Sequence, residues 1–272
     1  MKSIKNIYLE KRLDIARSIS DELKKFDNIK MIALSGSCVI GCPTEKSDID
    51  LQIAFEMKPK CTEIENMRRS LIEKFSDSKQ KKYSFIGTVT GITVKDIDVS
   101  IFYGTVEDFK GIASVDVKDN NELSLTLYYD MIPLYDILDI CGFIRNNIQY
   151  PEERQKQILS EKADALKRLF NYESFKIIDN NIMFLKYKYK IIENIIDIVY
   201  TLNKRPKRMV NDFIYMADKL SFCPQYLPGE LSNIASESNP DRFNKNAEEL
   251  IIKLFNDSSD EILKTEIRNF TL

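Results

Sequence analysis

The sequence predicts an α+β protein: a mixed β-sheet flanked by helices in the N-terminal half, followed by a C-terminal helical bundle. Two observations predict this division. Up to about residue 150, short apolar runs of strand length alternate with helical patterns. From Pro151 onward, only long patterns with a spacing of three and four residues remain. We therefore expect two domains, residues 1–150 and residues 151–272.

The N-terminal half begins with a predicted helix and two predicted strands. Between Ile7 and Phe26, apolar residues recur every three or four positions and so share one helical face. The apolar run from Lys30 to Ser35 is of strand length and ends at a glycine, which indicates a buried strand. From Asp48 to Phe55 the residues alternate, which predicts a half-buried strand with both of its aspartates on the polar face.

The pattern then continues with a helix and further strands. Cys61 to Phe75 again has helical spacing. The runs Lys82–Thr90 and Val94–Tyr103 predict two strands separated by Gly91. In the second of these strands, the acidic and apolar residues lie on opposite faces.

Two shorter apolar runs, Ser124–Tyr129 and Ile132–Tyr135, finish the sheet or lead out of it. Long helical patterns make up the rest of the chain. They are Glu152–Phe170, Ile182–Leu202, Pro206–Leu220 and Ala247–Lys264.

The composition restricts the chemistry that the chain can perform. Its 272 residues, 43% of them hydrophobic, permit an enzyme with a substantial core. The chain has no histidine, so catalysis must depend on carboxylates, lysine, tyrosine or a metal ion. Forty basic and forty-two acidic residues leave a net charge of -2, which gives no overall attraction for a long phosphate backbone. Nucleic acid is therefore not the expected partner.

The sequence also indicates a cytoplasmic location. Its five cysteines are odd in number and scattered, which is not typical of a disulfide framework and suits a reducing compartment. The segment from Met1 to Arg12 is charged throughout, unlike a secretory signal. No uncharged apolar run approaches the roughly 18 residues that cross a bilayer. We expect a soluble monomer or homodimer with no membrane association.

The candidate site combines the pair Gly36-Ser37 with Asp48 and Asp50, and ten residues separate Ser37 from Asp48. Each half alone is more often structural, because Gly-Ser ends many strands and exposed Asp-x-Asp pairs are common. Together they indicate a phosphate site. Two aspartates two residues apart on a strand point the same way and can share Mg²⁺. A glycine lets the backbone approach a phosphate, to which a serine at a helix start donates hydrogen bonds.

These motifs resemble the signature of the nucleotidyltransferase superfamily, which includes polymerase beta and the small-molecule antibiotic nucleotidyltransferases. The residues that carry the resemblance are Gly36-Ser37 and Ser47-Asp48-Ile49-Asp50-Leu51. It implies that Gly36, Ser37 and Ser47 bind a nucleoside triphosphate. It also implies that two Mg²⁺ ions are held by carboxylates that include Asp48 and Asp50.

The same resemblance implies a third carboxylate on a neighbouring strand. Asp98, in Ile97-Asp98-Val99, matches that element, and Asp96 on the same predicted face is the second candidate. The implied reaction is attack of an acceptor hydroxyl on the α-phosphate of ATP or another triphosphate, with release of pyrophosphate. Asp98 would be a metal ligand and would accept the hydroxyl proton, although Glu152 and Glu153 are alternatives for the base.

The segment Ile132-Pro133-Leu134-Tyr135-Asp136, leading into the helical half, resembles the layout of bacterial lincosamide- and aminoglycoside-type nucleotidyltransferases. This resemblance implies that the helical domain completes the cleft and that the acceptor is a small molecule, as in antibiotic resistance. Lys204 and Arg205 belong to a basic cluster that could reach the triphosphate, although such charge runs more often solvate a loop. A macromolecular acceptor and a catalytically silent nucleotide-binding module are the alternative functions.

Overall fold

The computed structural model describes residues 6–75, 79–80, 89–114, 122–148, 150–171 and 181–270. The chain divides into two compact units, Met1–Gln149 and Tyr150–Leu272. Within those described ranges, no helix is both long and apolar enough to cross a membrane.

Among the residues that the structure describes, the first unit is built on a mixed sheet of six strands. In chain order they are β1 (Ile29–Ser35), β2 (Ile49–Phe55), β3 (Lys79–Gln80), β4 (Val89–Val94), β5 (Ile97–Thr105) and β6 (Ile132–Asp136). Their spatial order is β3-β4-β5-β2-β1-β6, in which β2 and β5 are parallel and the other neighbours are antiparallel. The predicted mixed sheet is therefore confirmed.

In the described residues of this unit, six helices accompany the sheet. They are α1 (Ile7–Leu23), α2 (Ser37–Ile40), α3 (Cys61–Lys74), α4 (Val106–Ile112), α5 (Glu122–Tyr129) and α6 (Ile140–Asn147). The apolar faces of α1 and α3 pack with β1, β2, β4 and β5 in one core. A second core joins α4 and α6 to small side chains on the opposite face, including Ala33 and Ala54. As a result β2 is buried on both faces, not half-buried as its alternation predicted, and Gln52 is only 5% exposed.

Two sequence predictions for this unit need correction, and a third lies partly outside the described residues. The break between β4 and β5 falls at Lys95 and Asp96, whose φ angles are 50° and 63°, whereas Gly91 lies within β4. Positive φ at both central residues is the geometry of a two-residue hairpin, and aspartate tolerates it. The run Ser124–Tyr129 belongs to helix α5, not to a strand. Residues 82–88 of the predicted strand lie outside the described residues.

The second unit is the predicted bundle of helices. They are α7 (Glu152–Asn171), α8 (Asn181–Leu202), α9 (Phe213–Met216), α10 (Leu227–Ser236), α11 (Pro240–Asp257) and α12 (Glu261–Phe270). One apolar face of α8, which includes Ile191, Ile195 and Val199, is fully buried in its core. Phe213 and Phe243 belong to the same core and are also fully buried.

Two of the four predicted helices in this unit are interrupted. The segment Pro206–Leu220 contains only the single turn α9 between two 3₁₀ turns, Val210–Asp212 and Ala217–Lys219. The prediction Ala247–Lys264 spans the end of α11 and the start of α12. Between them the buried Ser258 hydroxyl donates to the carbonyl of residue 255, and Asp260 accepts the backbone N–H of residue 262. These local bonds end one helix and begin the next.

Candidate active site

The Gly36-Ser37 turn lies directly against the carboxylate of Asp50. Gly36 follows β1 with φ 68° and ψ −149°, a backbone conformation that favours glycine. A Cβ atom at this position would overlap Asp50 Oδ2 and stand 3.0 Å from Asp50 Cγ. Glycine is therefore required here for two reasons, its positive φ and the close approach of the carboxylate.

The structure brings Asp48 and Asp50 together as a carboxylate pair. The β1–β2 register places Asp50 opposite Ser35, and Asp48 immediately precedes β2, with both aspartates half-buried. Burial, together with repulsion from the Asp48 carboxylate, raises the pKa of Asp50 to about 6. Two like charges in a poorly solvated place destabilise one another until a cation or a proton neutralises them.

Mg²⁺ fits this pair of carboxylates. It is a hard cation that proteins commonly hold through one or two carboxylates while substrate phosphates supply further oxygens. Throughout the described part of the chain, no three His, Cys, Asp or Glu side chains are grouped to hold a metal ion. Oxygens from outside the described protein residues would have to complete the coordination of an ion at this pair.

The neighbouring strand β5 contributes Ser100 to the same face. The parallel register pairs Ser100 with Asp50, and the Ser100 hydroxyl donates to Asp48 Oδ2 at 3.4 Å. Asp98 lies two residues earlier on this face, and its Oδ1 accepts a 2.9 Å hydrogen bond from the Thr93 hydroxyl. Its role as a third carboxylate stays a prediction. The expected place of Asp96 on the strand face is wrong, because Asp96 is an exposed residue of the hairpin turn.

Ser37 begins α2, a single helical turn. Its hydroxyl is buried and has no hydrogen-bond partner among the residues that the structure describes. Buried polar groups normally have a partner, so a phosphate oxygen at this turn would satisfy the Ser37 hydroxyl. Cys38 is the next residue. Burial raises the pKa of its thiol to about 11, which disfavours the thiolate that would bind a metal ion.

Ser47 stabilises the loop that leads into β2. Its hydroxyl accepts the backbone N–H of Thr44 at 2.9 Å, and its own N–H donates to the Thr44 carbonyl at 3.2 Å. These bonds close a tight turn just before Asp48. Nucleotide binding by Ser47 stays a prediction.

Arg12 is a residue of the site that the sequence patterns did not identify. Its side chain is only 1% exposed. Its guanidinium donates to the Ser47 carbonyl from Nε at 2.9 Å and from Nη2 at 2.6 Å, and to the Glu45 carbonyl at 2.9 Å. Arg12 thereby holds the loop that ends at Asp48. The sequence contained one indication that Arg12 is buried. Arg12 lies three residues after Leu9 and four before Ala16, on the predicted apolar face of the helix.

Lys204 and Arg205 lie in the second unit, after α8. Lys204 is exposed with a φ of 51°, and Arg205 Nη1 donates to the carbonyl of Lys219 at 2.8 Å. In the same cluster, Lys207 Nζ contacts the buried carboxylate of Asp197 at 3.0 Å. Part of this basic cluster therefore holds the loop after α8. Nucleotide binding by Lys204 and Arg205 stays a prediction.

The first testable prediction concerns the close approach at Gly36. Gly36→Ala should lower the free energy of unfolding by about 3 kcal/mol, because the new methyl group overlaps Asp50 and positive φ is strained. Gly111→Ala is the matched control, since a Cβ there meets nothing within 4 Å and alanine favours the helix α4. Urea unfolding measures both variants, and equal stabilities would contradict the prediction.

The second prediction concerns the buried guanidinium. Arg12→Met should lower the free energy of unfolding by about 3 kcal/mol, because it leaves the carbonyls of Glu45 and Ser47 without their charged donor. Arg17→Met, on the same helix with a side chain 64% exposed, should change it by less than about 0.5 kcal/mol. Chemical denaturation of the two variants compares them, and a stable Arg12→Met protein would exclude the positioning role.

The third prediction is a dependence of stability on pH. Asp50 has a folded pKa of about 6 against an ordinary value of 3.8, so its contribution to stability is present below about pH 4 and lost as pH rises through 6. In a chelator at pH 8, Asp50→Asn should therefore be more stable than the parent by about 1 to 2 kcal/mol. The gain should vanish near pH 4.

Asp14→Asn, at a side chain 77% exposed, is the control for this prediction. Thermal unfolding across the pH range gives the comparison. An advantage of Asp50→Asn that does not change with pH would show that the Asp50 charge is not its cause.

The first unit matches a known family model. Residues 17–88 match the model described as Polymerase beta, Nucleotidyltransferase. The matched segment contains β1, the Gly36-Ser37 turn, the aspartate pair and α3. A comparison with curated proteins finds no match.

Several solved structures resemble the chain at low identity. A nucleotidyltransferase-like protein from Exiguobacterium sibiricum 255-15 has a TM-score of 0.35 at 10% identity, over 94% of this chain and 74% of that one. Terminal uridylyl transferase 4 from Trypanosoma brucei with bound dUTP has a TM-score of 0.32 at 9% identity, over 92% and 68%. The CCA-adding enzyme from Thermotoga maritima, complexed with tRNA, has a TM-score of 0.31 at 12% identity, over 95% and 66%. Likeness at this level does not bear on the substrate.

The family match covers the segment in which the glycine turn and the carboxylate pair meet, so the predicted enzyme class is confirmed. The small-molecule subfamily stays a prediction. Residues 17–88 of the first unit are thus similar to the nucleotidyltransferase domain of the polymerase beta family.

Proposed function

We propose that the chain transfers a nucleoside monophosphate, AMP from ATP, to a hydroxyl of a small antibiotic- or sugar-like acceptor and releases pyrophosphate. The observation that supports this proposal is the Asp48–Asp50 pair beside the Gly36-Ser37 turn, within the segment that matches the family model. In this proposal residues 1–150 form the catalytic domain, and the helical residues 151–272 bind substrate.

The triphosphate would be held at the glycine turn. The Gly36 backbone allows close approach, and the buried Ser37 hydroxyl would donate to a phosphate oxygen. Asp48 and Asp50 would hold two Mg²⁺ ions, which neutralise the charge that develops on the attacking and leaving oxygens. Ser100, by donating to Asp48, would keep that carboxylate oriented.

The acceptor hydroxyl must lose its proton as its oxygen bonds to the α-phosphorus and the bond to pyrophosphate breaks. With no histidine in the chain, a carboxylate is the natural base. We assign this role to Asp98, which lies on the same sheet face as Asp50, in addition to its role as a metal ligand. The Thr93 hydroxyl, donating to Asp98 Oδ1, would fix the orientation of the base.

The charge balance of the chain supports a small acceptor. A net charge of -2 gives no overall attraction for the many phosphates of a long RNA. A small hydroxyl compound needs no such attraction. The alternative is a macromolecular acceptor, either a tRNA end or a protein side chain. An experiment must distinguish it from a small acceptor.

The fourth prediction tests the reaction. With Mg²⁺ and ATP labelled at the α-phosphate, the label should pass to an added aminoglycoside or lincosamide together with pyrophosphate release. Asp50→Asn should reduce this rate by at least about 100-fold, because metal ions supply several kcal/mol of charge stabilisation. The exposed Asp14→Asn should leave the rate unchanged.

Each failure of this experiment has its own meaning. Label that passes only to tRNA or protein would overturn the small-molecule acceptor. Full activity in Asp50→Asn would overturn the site. ATP binding without transfer to any acceptor in the panel would favour a catalytically silent module.

A further inference from the structure

A cavity of about 910 Å³ lies at the opposite end of β2 and β5 from the carboxylate pair. Pockets of this size hold small molecules. From Asp50 to Phe55, at the far end of β2, the strand extends roughly 17 Å at its usual rise per residue. The cavity is therefore a separate place from the candidate active site. We call it the α3 cavity, and its defining residues are Lys58, Cys61, Ile64, Arg68, Tyr103 and Thr105.

Arg68 places a largely buried guanidinium in the wall of the α3 cavity. Its side chain is 13% exposed, and Nη1 contacts Glu65 Oε2 at 3.1 Å. Its Nε–H is buried and has no hydrogen-bond partner among the residues that the structure describes. A buried donor left unpaired destabilises the fold, so a shift of the Arg68 side chain that brought Nε–H to an acceptor oxygen of a ligand in the cavity would be favourable.

Two further features of the wall favour an anion. Helix α3 begins at Cys61, and its N-cap Lys60 supplies no side-chain hydrogen bond to the first-turn N–H groups. The first turn of a helix carries partial positive charge, and the exposed residue Lys58 belongs to the lining.

The two acidic residues of the wall already have partners. Glu65 is paired with Arg68. Asp108 Oδ2 accepts the N–H and the hydroxyl of Thr105, each at 2.8 Å. The Arg68–Glu65 pair partly neutralises both of its partners. In the first turn of α3, the Glu63 N–H donates to the Lys60 carbonyl, and the Lys60 side chain caps none of the N–H groups.

The rest of the wall is apolar and aromatic. Ile64 is buried, with 8% exposure, and Pro59 lies beside it in the lining. The Tyr103 ring packs edge-on against Phe55, with ring centroids 6.2 Å apart. These surfaces suit an apolar body attached to the anionic group.

We propose that the α3 cavity binds a small organic anion, with its acidic group at Arg68 and the first turn of α3, and its aromatic or apolar body against Tyr103 and Ile64. This site is independent of the proposed transferase reaction. It would give the chain a second small-molecule binding site, at the other end of the sheet that carries the carboxylate pair.

The fifth prediction uses anilinonaphthalene sulfonate, a fluorescent aromatic anion, as the probe. The folded full chain should bind it saturably, and Arg68→Gln should weaken its affinity about tenfold through loss of a charge-assisted bond. Arg69→Gln is the matched control, since Arg69 is the exposed neighbour on α3 and is not part of the lining. It should change the affinity less than twofold.

A second variant protects the test against a folding defect in Arg68→Gln. Thr62 is an exposed lining residue in the first turn of α3, where glutamate is well tolerated. Thr62→Glu should keep the thermal stability of the parent and weaken probe affinity by several-fold. Parental affinity in both folded variants would overturn the proposal.

The exposed Cys61 thiol reports the location of the bound probe. Saturating probe should slow alkylation of Cys61 by iodoacetamide at least about threefold, as peptide mapping measures, and leave the half-buried Cys42 and Cys223 unchanged. Unprotected Cys61 would place the probe elsewhere and overturn the proposal. Asp50→Asn should bind the probe normally, so failure of the transferase proposal would not affect this result.

Discussion

The contact between the Gly36 backbone and the Asp50 carboxylate is the constraint on which the candidate active site depends. Antiparallel pairing of β1 with β2 sets Ser35 opposite Asp50, so the chain leaving β1 must turn beside that carboxylate. A side chain at position 36 would overlap it, and the turn needs positive φ. The same pairing brings the turn and the carboxylates to one end of the sheet, where a phosphate and a cation can be bound together.

The site combines features that oppose stability with bonds that hold them in place. The raised pKa of Asp50 and the unsatisfied hydroxyl of Ser37 both cost free energy in the folded chain. Arg12, buried beneath the loop, offsets part of this cost by donating to the carbonyls just before Asp48. Cores on both faces of the sheet fix β2 and so limit how far the carboxylates can separate. Such a balance is typical of sites that a bound substrate neutralises.

Much of the fold was predictable because strands and helices have different periods. Alternation along β2 and the three-to-four spacing along α1 and α3 identified these elements to within a few residues. Two of the errors occurred at turns, where local bonds and backbone angles decide the outcome. Lys95 and Asp96 form the hairpin turn that Gly91 was expected to mark, and Asp260 begins a helix inside a continuous apolar pattern. Periodicity contains no information on such bonds.

The sequence by itself determined that a glycine turn and two same-facing aspartates follow one another, because spacing along a strand fixes where side chains point. Only the tertiary structure decided that Ser100 stands beside Asp50 and that Arg12 holds the loop before Asp48. Strand register and long-range hydrogen bonds join residues about 35 to 50 positions apart, and local patterns do not encode them. The α3 cavity is of the same kind, since its walls come from a helix and a strand that are distant in the chain.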